Sequence, residues 1–314
     1  MSDSEIHSDT FRHGSGWSRA IRTTRKLDRV VVALLEGIRA ETVQSLHLSN
    51  LRSLLSRGAQ APFTLPDSHG MTSLVLSSLL TGFASDDQPL LGDGLYIPEG
   101  SSRVRSVPRL LHDEGLSTAV YMADPATAAG AMSASLKRDL RLDKTHITSI
   151  YSAQILSEAL RVITSRAAGL TLLHFPEPAL AGRRAGWDSQ QYADAAHRLD
   201  ETVGFLSLLV AAKKDPGSLF VVVLYGGAEC ANRSEGYRAD LASNEGEVVL
   251  VGPGVHATRL QQAQLCDLAS TIVWALGLPV PSSYEGRVVT EAFATTTERA
   301  LGFPPATHPA FASV

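Results

Sequence analysis

Asp28-Arg29-Val30-Val31-Val32-Ala33-Leu34-Leu35-Glu36-Gly37 is the stretch that decides the fold. From Val30 to Leu35 every side chain is aliphatic, and successive side chains of a strand point to opposite faces. A strand with one wet face would alternate. An unbroken run suits a central strand of a parallel sheet, covered on both sides. The run closes on an acidic residue and a glycine, so whatever follows begins at the carboxyl end of that strand.

Working outward, Leu170–Phe175 and Ser218–Tyr225 read as further buried strands, and Ser117–Met122 and Glu247–Val251 as shorter ones. Helical periodicity fills the spaces between them. Val43, Leu46, Leu51, Leu54 and Leu55 form an apolar stripe that stops at Gly58. Residues 71–81 make a second helix ended by Gly82, and others are expected near 105–114, 152–168 and 262–276. Asp188 and Gln191 have the spacing of a capping box. It opens a helix whose core stripe is Tyr192, Ala195, Leu199, Val203, Leu206 and Val210. Alternating strands and helices predict an α/β fold, a mostly parallel central sheet with helices on both faces. Ligands of such sheets bind beyond the carboxyl ends of the strands. That directs attention to Glu36 and to the stretches 65–73, 174–187 and 225–245, read as loops.

Composition narrows the partners. The 314 residues carry a formal charge of −4, which argues against nucleic acid or an anionic membrane as partner. No apolar run reaches the roughly 18–20 residues of a membrane-spanning helix, and the first 26 residues lack the apolar core of a secretory signal. Cys230 and Cys266 have no metal-ligand spacing and are expected to be reduced thiols of a cytoplasmic protein. Three segments are expected: a flexible tail over 1–26, one domain over 27–295 and an irregular tail over 296–314. Within the first tail, read as a floppy leader, Trp17, Arg19, Ile21 and Arg22 have the spacing for one short amphipathic turn. The Gly/Asp/Pro-rich 83–104 loop and this tail are the expected contact points for a protein partner or a second copy. G-x-S-x-G and P-loop motifs are absent.

The strand ends carry a further pattern. Glu36-Gly37-Ile38-Arg39 follows the first strand, Asn50-Leu51 through Gly58-Ala59 follows in turn, and Thr72 precedes Ser78-Leu79-Leu80-Thr81-Gly82. Then come His174-Phe175-Pro176-Glu177-Pro178-Ala179-Leu180-Ala181-Gly182-Arg183, Gly252-Pro253-Gly254-Val255, Asp267 to Thr271, Ala275 to Pro279 and Glu285-Gly286-Arg287. In this order the segments resemble the alkaline phosphatase superfamily, on its type I phosphodiesterase/nucleotide pyrophosphatase branch, over about residues 28–293. The resemblance implies an alkaline phosphatase-like three-layer sandwich and places Thr72 at the nucleophile position. It also implies a site for two metal ions, commonly zinc, which would polarise a phosphate ester.

At the positions the resemblance assigns to metal ligands, this sequence differs. Glu36 replaces the first aspartate, Ala179 the second, and Arg183 a histidine. Leu224-Tyr225-Gly226-Gly227 replaces a segment that would carry Asp and His. A methyl group cannot bind a metal and a guanidinium opposes one. The expectation is therefore a pseudoenzyme without cofactor, kept as a scaffold, binding module or accessory subunit. Arg183 is expected to pair with Glu36, since a lone buried carboxylate is costly. Two alternatives stand beside it. Thr72, or Ser73 next to it, could serve a hydrolase or transferase of phosphate or sulfate esters with a non-standard site. Arg183 and the amides at the start of the 71–81 helix could hold a nucleotide-like anion without turnover. A substitute metal site would draw on Asp67, His69, His174, Glu177 or Glu229. His47, His112 and His197 fall on expected helices and are read as solvated.

Overall fold

A computed structural model describes residues 27–65, 71–84, 105–123, 140–212, 217–226 and 245–293. The two tails, most of the 83–104 loop, Asp67, His69, Gly227, Glu229 and Cys230 lie outside the described residues. So does the side chain of Ser73.

The decisive run forms β1 (Arg29–Glu36), buried along its whole length. After it come α1 (Ala40–Ser45), α2 (Ser49–Arg57), β2 (Ala59–Thr64), α3 (Met71–Thr81) and α4 (Val107–Asp113). Next are β3 (Thr118–Ala123), β4 (Lys144–Thr148), α5 (Ser152–Ser165), β5 (Leu170–Phe175), α6 (Glu177–Ala185) and α7 (Gln190–Ala211). The order ends with β6 (Ser218–Tyr225), β7 (Glu245–Val251), β8 (Thr258–Arg259), α8 (Leu265–Ala275) and a 3₁₀ turn at Thr290–Ala292. The eight described strands form one sheet in the order β4-β3-β5-β1-β6-β7-β2-β8. β1 lies between β5 and β6, parallel to both. β7 alone runs against its neighbours.

Strand parity sorts the core into two layers. Val30, Val32 and Leu34 pack with Leu74, Leu76 and Leu79 of α3, with α4 and with α8. Val31, Ala33 and Leu35 pack on the other face with α2, α5 and α7. Alternate residues of β1 thus serve opposite layers, as a strand buried on both faces requires.

Several expectations need correction. The 43–58 helix is two helices, because His47 sits at φ +53° in the turn between them, so His47 is not on a helix. Its Nδ1 lies 3.0 Å from Arg52 Nη2. The cap of α7 is Ser189, one residue later than the Asp188 box: the Ser189 hydroxyl accepts from the Tyr192 N–H. The 174–187 stretch is no loop, since it carries α6. His112 is not merely solvated, its Nδ1 lying 2.9 Å from Asp143 Oδ1. β2 and β4 had no clear strand pattern: Pro62 interrupts β2, and β4 is a largely exposed edge. Among the described residues no helix is long and apolar enough to cross a membrane.

Candidate active site at the carboxyl ends of the central strands

Glu36 is the last residue of β1 and continues the parity of Val30, Val32 and Leu34, so it belongs to the face covered by α3. His174 on β5 and Tyr225 on β6 share that parity with the Leu170/Leu172 and Leu219/Val221/Val223 sets. The sheet therefore brings three polar side chains from three adjacent strands to one spot. All three are buried.

Both Glu36 oxygens are engaged. Oε1 accepts from Arg183 Nη1 at 2.9 Å, and Oε2 accepts from His174 Nε2 at 3.0 Å. The expected Glu36–Arg183 pair is thus present. The Arg183 side chain is 18% exposed against 7% for Glu36, so the carboxylate is the more deeply buried partner. Burial by itself would push the Glu36 carboxyl up. The hydrogen bond and field of His174, together with the Arg183 guanidinium, outweigh it and hold the group below the usual carboxylate range. With its Nε2–H directed at Glu36, His174 keeps a buried Nδ1 without a hydrogen-bond partner.

α6 carries Arg183 into place. It starts directly after β5, and its Ala179 is fully buried against Gly37. Gly37 has φ +86°, and a Cβ there would lie 2.5 Å from the Ala179 nitrogen. Only glycine suits that backbone and that approach. Ala179, which the resemblance sets at a ligand position, thus occupies the seam between the β1 turn and α6.

Thr72 is the second residue of α3 and nearly buried. Its Oγ1 lies 3.2 Å from the Tyr225 hydroxyl. Burial first, then the nearby Glu36 carboxylate, push the Tyr225 phenol well above its ordinary value. At neutral pH it is a phenol and cannot act as a base towards Thr72. Gly226 follows Tyr225 and is buried. The site therefore unites Glu36, His174, Arg183, Thr72 and Tyr225, with Ala179 and Gly226 as its packing.

Two contacts go beyond the sequence reading. His174, named above for a substitute metal site, is the second donor to Glu36; Tyr225, at a position the resemblance gives to a lost ligand, lies 3.2 Å from the Thr72 hydroxyl. Strand parity is the signal that could have shown both. Glu177, another metal candidate, has its oxygens committed: Oε2 accepts from the Ser152 N–H and hydroxyl, each at 2.8 Å, and Oε1 from Arg198 Nε. His197 is exposed. Among the described residues, no group of three His, Cys, Asp or Glu side chains is arranged to hold a metal ion.

Likeness to known proteins bears on the family and the fold. The family described as type I phosphodiesterase/nucleotide pyrophosphatase matches residues 30–270. No curated protein matches the chain significantly. Among solved structures, it is similar to an alkaline phosphatase superfamily protein from Vibrio parahaemolyticus. The identity is 14%, the match covers 86% of this chain and 71% of that one, and the TM-score is 0.61. It is also similar to murine ectonucleotide pyrophosphatase/phosphodiesterase 5, at 12% identity over 85% of this chain and 100% of that one, TM-score 0.62. A phosphonate monoester hydrolase from Silicibacter pomeroyi matches at 14% identity over 90% and 78%, TM-score 0.57. At such identities the likeness to these structures is one of fold, and it bears out the alkaline phosphatase-like sandwich.

Proposed function

The chain belongs to the type I phosphodiesterase/nucleotide pyrophosphatase family, and from that premise we propose that it is a non-hydrolytic member, used for its shape and its surface. The family is one of phosphodiesterase- and phosphatase-like hydrolases. The observation that carries the proposal is the Glu36–Arg183 pair at 2.9 Å. A cation needs open lone pairs on its ligands. Here the one carboxylate at these positions gives one oxygen to a guanidinium and the other to His174.

The remaining residues do not fit two metal ions either. Ala179 has no donor atom, and Arg183 would repel a dication. Tyr225 is a high-pKa phenol bonded to Thr72. In this reading Arg183 supplies, as a fixed side chain, the positive charge a metal would bring, and Glu36 is its counter-ion. Thr72 keeps the nucleophile position without a base or a Lewis acid, and an unactivated hydroxyl is a poor nucleophile. What such a domain retains is a rigid sheet and helical surfaces, suited to a scaffold or accessory subunit in a larger assembly.

The test is elemental analysis of protein purified without chelators, alongside hydrolysis of bis(4-nitrophenyl) phosphate with added zinc. The expected result is substoichiometric metal and no turnover above that of a Thr72→Ala variant. Two metal ions per chain, with turnover that Thr72→Ala abolishes, would make the chain an ordinary hydrolase of its family.

A further inference from the structure

The outer faces of α5 and α7 carry large apolar side chains that nothing among the described residues covers. Phe205 and Leu208 of α7 are 53% and 67% exposed, and Leu160 of α5 is 36% exposed. Phe205 and Leu208 are three apart and so stand together on one face of their helix. The two helices pack side by side, with Val162 and Leu209 half-buried against the same core layer. We propose that this face is covered by the chain's own amino-terminal segment, residues 10–26, anchored by Trp17 and Ile21.

Where the chain enters the fold supports this occupant. The Asp28 N–H donates to Gly217 O, just beyond α7, and Arg166, which caps α5, bonds Asp28 Oδ2 at 2.7 Å and Gly217 O at 3.3 Å. Leu27 N–H donates to Ala275 O of α8, so the first described residue sits at the end of the sheet where α5, α7 and α8 finish. From there, Leu208 is three residues from the end of α7 and Leu160 five from the end of α5. At 1.5 Å per helical residue these are short distances, about 5–8 Å. Ile21 is six residues before Leu27, about 20 Å of extended chain, so the reach is ample.

Chemistry points the same way. Trp17 and Ile21 are four apart, the spacing that puts two side chains on one face of a helical turn. Residues 10–26 hold Arg12, Arg19, Arg22, Arg25 and Lys26 with no acid, while exposed Glu158 and Glu201 flank the apolar face beside Arg161; of the other cations there, Arg198 is paired with Glu177 and Arg57 reaches the Ser207 hydroxyl. Size selects a tethered occupant over a separate molecule. Three part-exposed side chains offer far less than the roughly 1,200 Å² that stable association of separate proteins needs. A covalent tether lowers that requirement by supplying an effective concentration on the order of millimolar.

The test is limited tryptic digestion of the full-length chain, following cleavage after Arg19 and Arg22 by mass spectrometry. Phe205→Asp with Leu208→Asp alters only exposed positions and leaves the core intact. It should speed those cleavages about ten-fold, since cutting tracks the undocked population. Trp17→Asp with Ile21→Asp should speed them equally, and the wild-type rate should not change with protein concentration. Equal rates in all three proteins would overturn the proposal. So would protection that grows with concentration together with a dimer in light scattering, which would make a second copy the occupant.

Discussion

Glu36 shows how one residue can set the character of a site. A carboxylate in the core is tolerated only if its charge is met, and here it is met from two elements, by His174 on β5 and Arg183 on α6. Removing the cation strands the buried charge, whereas removing the charge leaves a part-exposed cation that water can reach. Arg183→Ala should therefore destabilise the protein by about 2–4 kcal/mol. Glu36→Gln should cost closer to 1 kcal/mol. Urea denaturation of the two variants decides: equal costs would mean that Glu36 is not the charge the site is built to neutralise. The same residue gives a pH dependence. Its carboxyl is depressed in the folded protein, so the unfolded chain binds its proton first as pH falls. The stabilisation is complete above the unfolded value, about 4.3, and is lost as pH drops through the folded one. Glu247 has the opposite sign: burial raises its carboxyl, with Glu41 adding to the rise and Arg259 only partly countering it. Its effect is a loss of stability as pH rises through the carboxylate range. Acid unfolding curves should be flattened by Glu36→Gln and steepened by Glu247→Gln; the reverse order would contradict both assignments.

At the scale of elements, the helices on the α2/α5/α7 layer are joined by buried acids that cap their neighbours. Asp200 of α7 accepts from the Asn50 and Leu51 N–H groups at 3.1 and 2.8 Å, and from Asn50 Nδ2, at the start of α2. Glu177 does the same for Ser152 at the start of α5 and is held by Arg198. Each satisfies donors that a helix N-terminus leaves open, and negative charge there also suits the helix dipole. Asp200→Ala should cost about 1–3 kcal/mol. The loss should be visible as faster amide exchange in α2 before it is visible elsewhere. If exchange rises uniformly over the sheet, Asp200 is a global core residue and not a cap. These caps explain why the helix reading of the sequence erred where it did. A local pattern places the start of α7 to within one residue, the cap being Ser189 and not the expected Asp188, but a cap donated from a residue 150 positions away is not legible. His47 breaks the first helix through its own backbone conformation, which the apolar stripe from Val43 to Leu55 does not register.

At the scale of the whole molecule, the sheet was legible because it is written in hydrophobic runs. Val30–Leu35 demanded two covered faces, and β1 is buried from Arg29 to Glu36 between parallel neighbours. The Glu36–Arg183 pair was legible too, since both residues fall in segments that keep their order along the chain. Contacts across the sheet were less so. The Thr72–Tyr225 bond and the His174–Glu36 bond join residues 153 and 138 positions apart, and they follow only once strand order and parity are fixed. This division has a consequence for the molecule's stability. If Arg183 replaces the charge of bound metal, folding must be independent of metal, whereas a protein that binds a ligand only when folded gains RT ln(1 + [L]/Kd). A zinc site filled at a hundred times its Kd would contribute about 2.7 kcal/mol, enough for a shift of roughly 5–11 °C on the scale of domains of about 150–250 residues. The wild-type protein should therefore unfold at the same temperature, within about 1 °C on that scale, in excess EDTA and in micromolar zinc. Arg183→Ala should unfold lower in both, with zinc unable to restore it, because Ala179 still offers no donor. A drop in the wild-type midpoint on adding EDTA would show a metal held by ligands outside this cluster, and the charge-replacement reading of Arg183 would fail with it.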